Sequence, residues 1–230
     1  MAPDPLDRAI TVVRGGLALA GVAGVLITLS PLADIVDGPG SAPGGGLHTA
    51  AVGSSVAVIA SLGAAVIFAA AILRLLWLHM VALVLGTGLA LVAAFLVISA
   101  RTSDDFADGA ELTMRGGGLL LVAGFWAALA GVAIALYGIR LVAQAAPPVR
   151  MAPGRLQRAR TAPFAAILGV VGVVVVVTSG LAIAYGTLAL GDIRSSEERL
   201  GGRGMATAGV VLGMLVLSLL AAIGGVGAWI

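Results

Sequence analysis

Six long apolar stretches, at roughly 5–30, 51–73, 78–100, 117–141, 164–190 and 205–230, hold most of this chain, and the charged residues gather in the short gaps between them. Each stretch is close to, or longer than, the ~20 residues a helix needs to cross the hydrocarbon of a bilayer. Backbone polar groups have no water to bond there, so each segment must satisfy its own. Long runs rich in Ala, Leu and Gly that do not alternate with polar residues meet that demand as helices, not as strands of a barrel. The expected fold is therefore an all-α, polytopic transmembrane bundle of about six spans.

Composition agrees. Hydrophobic residues make up 60% of the chain and charged residues only 10%, with a mean hydropathy of +1.13. A soluble domain of this length needs more charged surface than that. Cysteine is absent, which removes disulfides, thiol nucleophiles and cysteine metal sites. All 13 basic residues are Arg, and Lys and Asn do not occur, as expected of a GC-rich bacterial genome. The pI near 9.9 does not point to nucleic acid, because the Arg residues are dispersed and the one cluster adjoins a span.

The first span opens at Asp4-Pro5, with Asp4 placed to cap a helix that Pro5 begins and Asp7 in the favourable first turn. Arg14 can snorkel to the headgroups. This acidic start and long apolar run argue against a cleaved signal peptide. A Gly/Pro-rich loop follows at 34–49. The apolar run from Ala50 to Ala100 is too long for one helix, and Arg74, Trp77 and His79 mark a tight turn between two. Residues 146–163 contain Pro147, Pro148, Pro153 and Pro163 with Arg150, Arg155, Arg158 and Arg160 and no acid. They read as a basic cytoplasmic linker between a four-span module, 1–145, and a two-span module, 164–230.

With the N-terminus inside, the inner segments hold Arg8, Arg14, Arg74, Arg140 and the four linker arginines, against Arg101, Arg115, Arg194, Arg199 and Arg203 outside. A multi-pass protein of a bacterial inner membrane with a cytoplasmic N-terminus is the expectation. The stretch 164–190 carries Thr178-Ser179-Gly180 in its middle, so it reads either as one tilted helix or as two half-helices. In the second case the 191–204 loop returns to the cytoplasm.

Small residues recur at every fourth position, the spacing that lets helix backbones approach closely in lipid. Gly16, Ala20 and Gly24 do so on the first span, and Ala123, Ala127, Gly131 and Ala135 on the fourth. The second carries Gly53, Ala57, Ser61, Ala65 and Ala69, and the last Gly209 and Gly213. The second span's stripe, being the longest, is the expected buried seam. Such stripes serve either packing within the chain or docking of a partner.

Chemistry is sparse. No Asp, Glu or His falls near the middle of a span, where proton relays and transport sites place them. Asp104, Asp105 and Asp108, with Glu111 following, spell a D-D-x-x-D loop that could hold a divalent cation, but a solvated acidic loop is the simpler reading. His48 and His79 lie alone on opposite sides, and no nucleophile triad or phosphate-binding glycine loop occurs in a fitting context. Arg150, Arg155, Arg158 and Arg160 face an anionic leaflet that attracts each by about 1 kcal/mol.

One resemblance adds to this. The apolar stretch closing on Gly186-Thr187-Leu188-Ala189-Leu190, the charged Ile193-Arg194 loop and the run G-R-G-M-A-T-A-G-V-V-L-G from Gly202 to Gly213 are together similar to a bacterial membrane domain of the domain-of-unknown-function 4190 type. In place of a basic loop start this chain has Gly191-Asp192. The resemblance covers the last ~68 residues, implies a membrane location and carries no activity. The expected role is that of a non-enzymatic accessory subunit or scaffold without catalytic residues, cofactor or resident metal. Its expected partners are the bilayer and a membrane protein or second copy. A small oligomeric transporter or channel using the Thr178-Ser179-Gly180 break is the alternative.

Overall fold

The structure is a computed structural model that describes residues 4–30, 36–37, 50–73, 76–102, 113–114, 116–145, 157–158, 161–174, 176–196 and 200–229. Seven helices carry the fold: α1 (Pro5–Leu29), α2 (Ala50–Ile72), α3 (Leu76–Thr102), α4 (Gly116–Ala145), α5 (Ala162–Val174), α6 (Ser179–Ser195) and α7 (Arg203–Trp229), with one 3-10 turn, Val176–Thr178, between α5 and α6. Six helices are long and apolar enough to cross a membrane, as the hydropathy pattern predicts. The chain is a multi-pass helical membrane protein.

The start of α1 follows its local chemistry. The Asp4 carboxylate accepts from the Leu6 N–H at 3.0 Å, and Pro5 occupies the first turn, where its missing N–H costs nothing. Arg14 departs from expectation. Instead of reaching to headgroups, its guanidinium donates to the carbonyls of Ala71 and, at 3.4 Å, Ile72. Those are orphan acceptors at the end of α2, and a cation there also meets the negative end of the helix dipole.

The central contact is α1 against α4. Gly124, Gly131 and Gly138 stand seven residues apart on α4, so all three face one side of the helix. A Cβ added at Gly131 would lie 2.5 Å from the Ala20 nitrogen and 2.7 Å from the Gly16 oxygen. One added at Gly16 would lie 2.6 Å from the Gly131 oxygen, and one at Gly138 would lie 2.6 Å from the Val13 nitrogen. The two backbones touch, with nothing between them. The pairing of Gly124 with Ile27 at one end and of Gly138 with Val13 at the other makes the helices antiparallel. On the other side of α1, Gly24 receives Ala60 and Ala64 of α2, and the Phe68 ring covers Gly21.

The second half of the chain settles what the sequence left open. Thr178 Oγ1 lies 3.4 Å from the Leu168 carbonyl, although a continuous helix would hold residues that far apart in sequence about 15 Å apart. The stretch 164–190 is a hairpin of two antiparallel helices, α5 and α6. Against α7, Ala165 and Gly169 of α5 meet Gly209, while Gly186 of α6 meets Ala206 and Val210, and Ser179 and Ile183 meet Gly213. The hairpin tip therefore reaches the middle of α7, and α5 starts at the end where α6 finishes.

Two short pairings tie the ends. At one end β1 (Val36–Asp37) runs antiparallel to β2 (Thr113–Met114). At the other, β3 (Gln157–Arg158) of the linker runs parallel to β4 (Leu200–Gly201) of the α6–α7 connection. The reading that set Arg194 and Arg203 across the membrane from the linker is thereby corrected. A hairpin returns its chain to the side it came from, so the α6–α7 connection lies at the linker end. Both halves share one core, in which Ile183, Ala184 and Leu220 pack with residues of α1 to α4, and Gly224 of α7 accommodates the buried Phe125 ring.

Two tests follow from this geometry. In this cysteine-free chain, Ala145→Cys and Ser195→Cys should react with a membrane-impermeant maleimide from the same side, and Thr102→Cys from the other. Labelling of Ser195→Cys together with Thr102→Cys would restore the continuous span. Gly131→Leu, which drives a side chain into the α1 backbone, should cost on the order of 3 kcal/mol. Gly15→Leu, with nothing within 4 Å, should leave thermal stability unchanged or slightly raised.

Candidate functional site

Two places in the bundle are candidates, the hairpin tip and a cleft at the linker end. The tip lies against the middle of α3: a Cβ on Gly180 would sit 3.1 Å from Thr87 Oγ1, and one on Gly88 would sit 3.1 Å from a Val177 methyl. Every hydroxyl here bonds a carbonyl of its own neighbourhood. Thr178 Oγ1 donates to Leu168 at 3.4 Å, Ser179 Oγ to Val176 at 2.7 Å and Thr87 Oγ1 to Leu83 at 2.8 Å. Ser179 and Thr87 are fully buried. Irregular backbone at this depth is tolerated where protein covers it, and here the turn is half-buried with Ser179 and Gly180 buried beside it. The tip is built as a packing element, with its polar groups turned inward on the chain.

The second candidate is a cleft of about 820 Å³ between α4, α6 and α7. The close approach of Gly191 to Ala143, where an added Cβ would lie 2.8 Å from the alanine methyl, lets α4 and α6 run side by side. Arg140 and Gln144 line the cleft from α4, and Arg194 and Ser195 from the last turn of α6. Leu190, Val210 and the exposed Met214 supply an apolar wall on the side toward the hairpin tip. Ser195 Oγ donates to the Asp192 carbonyl at 3.0 Å and Thr187 Oγ1 to the Ile183 carbonyl at 2.7 Å, so both hydroxyls face the cleft already oriented. Arg140 and Arg194 are exposed in the cleft and bond no described residue. It is polar and cationic at its mouth, and apolar within.

The residues singled out from the sequence meet different fates. Gly209 and Gly213 are buried seams, Gly209 against Ala165 and Gly213 against Ser179 and Ile183. The stripe on α2 is a correction. Ser61 and Ala65 are exposed and Ala57 half-buried, while the face one residue earlier, Ala60, Ala64, Ile67 and Ala71, packs inward. Gly53 lies in the first turn of α2. Asp104, Asp105, Asp108, Arg150, Arg155 and Arg160 lie outside the described residues, as does His48, and Arg158 is described only as backbone of β3. His79 is buried. The cleft residues Arg140, Gln144 and Arg194 gave a single weak signal in the sequence, two arginines near the ends of separate apolar stretches.

If the tip is packing alone, Thr87→Val and Ser179→Ala should each cost no more than about 1 kcal/mol, the scale of one hydrogen bond between groups in lipid. Gly213→Leu, which wedges α7 from the hairpin, should cost more than either in the same thermal unfolding measurement.

No curated protein and no solved structure matches this chain. The segment that forms the hairpin and most of α7 does match a family model. Residues 161–223, beginning one residue before α5, match the model of a domain of unknown function, DUF4190, and no family model matches the four helices before it.

Proposed function

We propose that this chain is a non-enzymatic accessory or scaffold protein of a bacterial inner membrane, docking to another membrane protein or to a second copy through the outward face of α2. One observation carries the reading: the small residues Ser61 and Ala65 are not used inside the bundle. They stand exposed one turn apart, flanked by exposed Val58, Ile59 and Leu62. Only 28% of the apolar window of α2 is buried, against 56% for α3. In lipid an apolar surface gains little by leaving the acyl chains, and a notch that admits a second backbone is what favours association.

The Arg distribution supports a cytoplasmic linker end. With the α6–α7 connection at that end, the segments there hold eleven of the 13 arginines, leaving Arg101 and Arg115 for the opposite end. The absence of Lys and Asn supports a bacterial source.

A channel or transporter built on the hairpin remains the second reading, favoured by the presence of a helix break at mid-bundle. The inward bonds of Thr178, Ser179 and Thr87 weigh against it, because a permeation path needs free polar groups or carbonyls facing water.

Purification of the tagged chain from its native membranes in a mild detergent should yield a stoichiometric membrane-protein partner or a homo-oligomer. Ser61→Leu with Ala65→Leu should abolish it without changing thermal stability. A monomer that retains nothing, or a complex indifferent to the α2 substitutions, would overturn the docking reading, and flux assays on Thr178 and Ser179 variants would then decide for the channel.

A further inference from the structure

The cleft between α4, α6 and α7 has a shape and a charge that the packing of the bundle does not require. Arg140 lies five residues before the end of α4, roughly 7 Å along the axis, and Arg194 lies in the last turn of α6. Both lie near the linker-end termini of helices long and apolar enough to cross a bilayer, where arginines meet headgroups. An arginine that only anchors a helix points outward to its own patch of lipid. These two rise from different helices into one cleft, together with Gln144, and neither guanidinium bonds a described residue. Asp192, the acid nearest to Arg194 on α6, is not among the residues that line it. Two guanidiniums facing a shared space with no described carboxylate lining it repel each other, and an anion between them removes that cost while using their planar donor geometry.

The remainder of the cleft narrows the anion. Its volume of about 820 Å³ is many times that of a phosphate group. From the arginines it extends past Leu190 and Val210 to the exposed Met214, an apolar track on the side toward the hairpin tip. A free phosphate has no use for that track, and a neutral lipid has no use for the paired charges.

We propose that this cleft binds an anionic phospholipid of the leaflet at the linker end, its headgroup phosphate between Arg140 and Arg194 with Gln144 donating, and one acyl chain lying along Leu190, Val210 and Met214. The lipid would sit where the α1–α4 bundle meets the DUF4190 domain, joining α4 to α6 and α7.

Thermal unfolding of the purified chain in an uncharged detergent, titrated with phosphatidylglycerol, phosphatidylcholine or inorganic phosphate, tests this. Phosphatidylglycerol should raise the unfolding temperature in a saturable way, and the other two should not. Arg140→Gln with Arg194→Gln should weaken the apparent affinity roughly thirtyfold, about 2 kcal/mol at ~1 kcal/mol per arginine. Arg8→Gln, at the same end but outside the cleft, should leave it unchanged. Met214→Trp, which fills the apolar track and keeps both charges, should also weaken phosphatidylglycerol binding, so the proposal stays testable if the double variant does not fold. An equal response to phosphatidylcholine overturns it. So does saturation by inorganic phosphate alone, which would make the ligand a soluble anion, or a Met214→Trp variant that binds as the parent does.

Discussion

The contact of one bare helix backbone with another, α1 against α4, is what the rest of the bundle hangs on. In lipid there is no gain from hiding apolar side chains, so helices associate through close dispersion contact and shape. Three glycines at heptad spacing on α4 and Gly16 on α1 bring the two helices together over nearly their whole length. Once they are joined, α1 presents Gly21 and Gly24 on another face to α2, and α4 presents Phe125 and Ala143 to α7 and α6. Each later contact repeats the same device of a small residue receiving a neighbour's backbone or ring. Arg14 closes the arrangement by satisfying the carbonyls at the end of α2, which would otherwise face an apolar medium unpaired.

The hairpin of α5 and α6 obeys a stricter polar account. A turn in the middle of a bundle exposes backbone groups and hydroxyls where water is scarce. Here the 3-10 turn is half-buried and Ser179 fully buried, and each hydroxyl is committed to a nearby carbonyl. The hairpin also decides at which end of the bundle the later connections lie. It returns the chain to the linker end, and the parallel pairing of β3 with β4 joins linker and α6–α7 connection at one face. Two arginines at that end, Arg140 and Arg194, line the cleft.

Much of this was legible in the residues. The Asp4-Pro5 start of α1 and the division of the long apolar run into α2 and α3 near Arg74 come from chemistry local to a few residues, and each stands where that chemistry puts it. The α2 seam was misread for a physical reason. Small residues occupy two faces of that helix, Ala57-Ser61-Ala65 on one and Ala60-Ala64 on the other, and the periodicity is the same for both. Only the position of Gly24 on α1 selects between them. The glycine heptad of α4 was likewise masked by the four-residue stripe beside it, of which Ala123 is exposed.

Hydropathy and caps determined from the sequence alone that this chain is a helical membrane protein and where most of its helices begin and end, and local motifs gave the resemblance of its C-terminal segment to DUF4190. These are decided by transfer of residues between water and lipid and by bonds spanning a turn or two, terms that act along the chain. Tertiary structure decided which small faces are buried, that 164–190 folds back on itself, and that Arg140 and Arg194 share one cleft. Those outcomes depend on how closely distant backbones can approach, and no segment carries that information by itself.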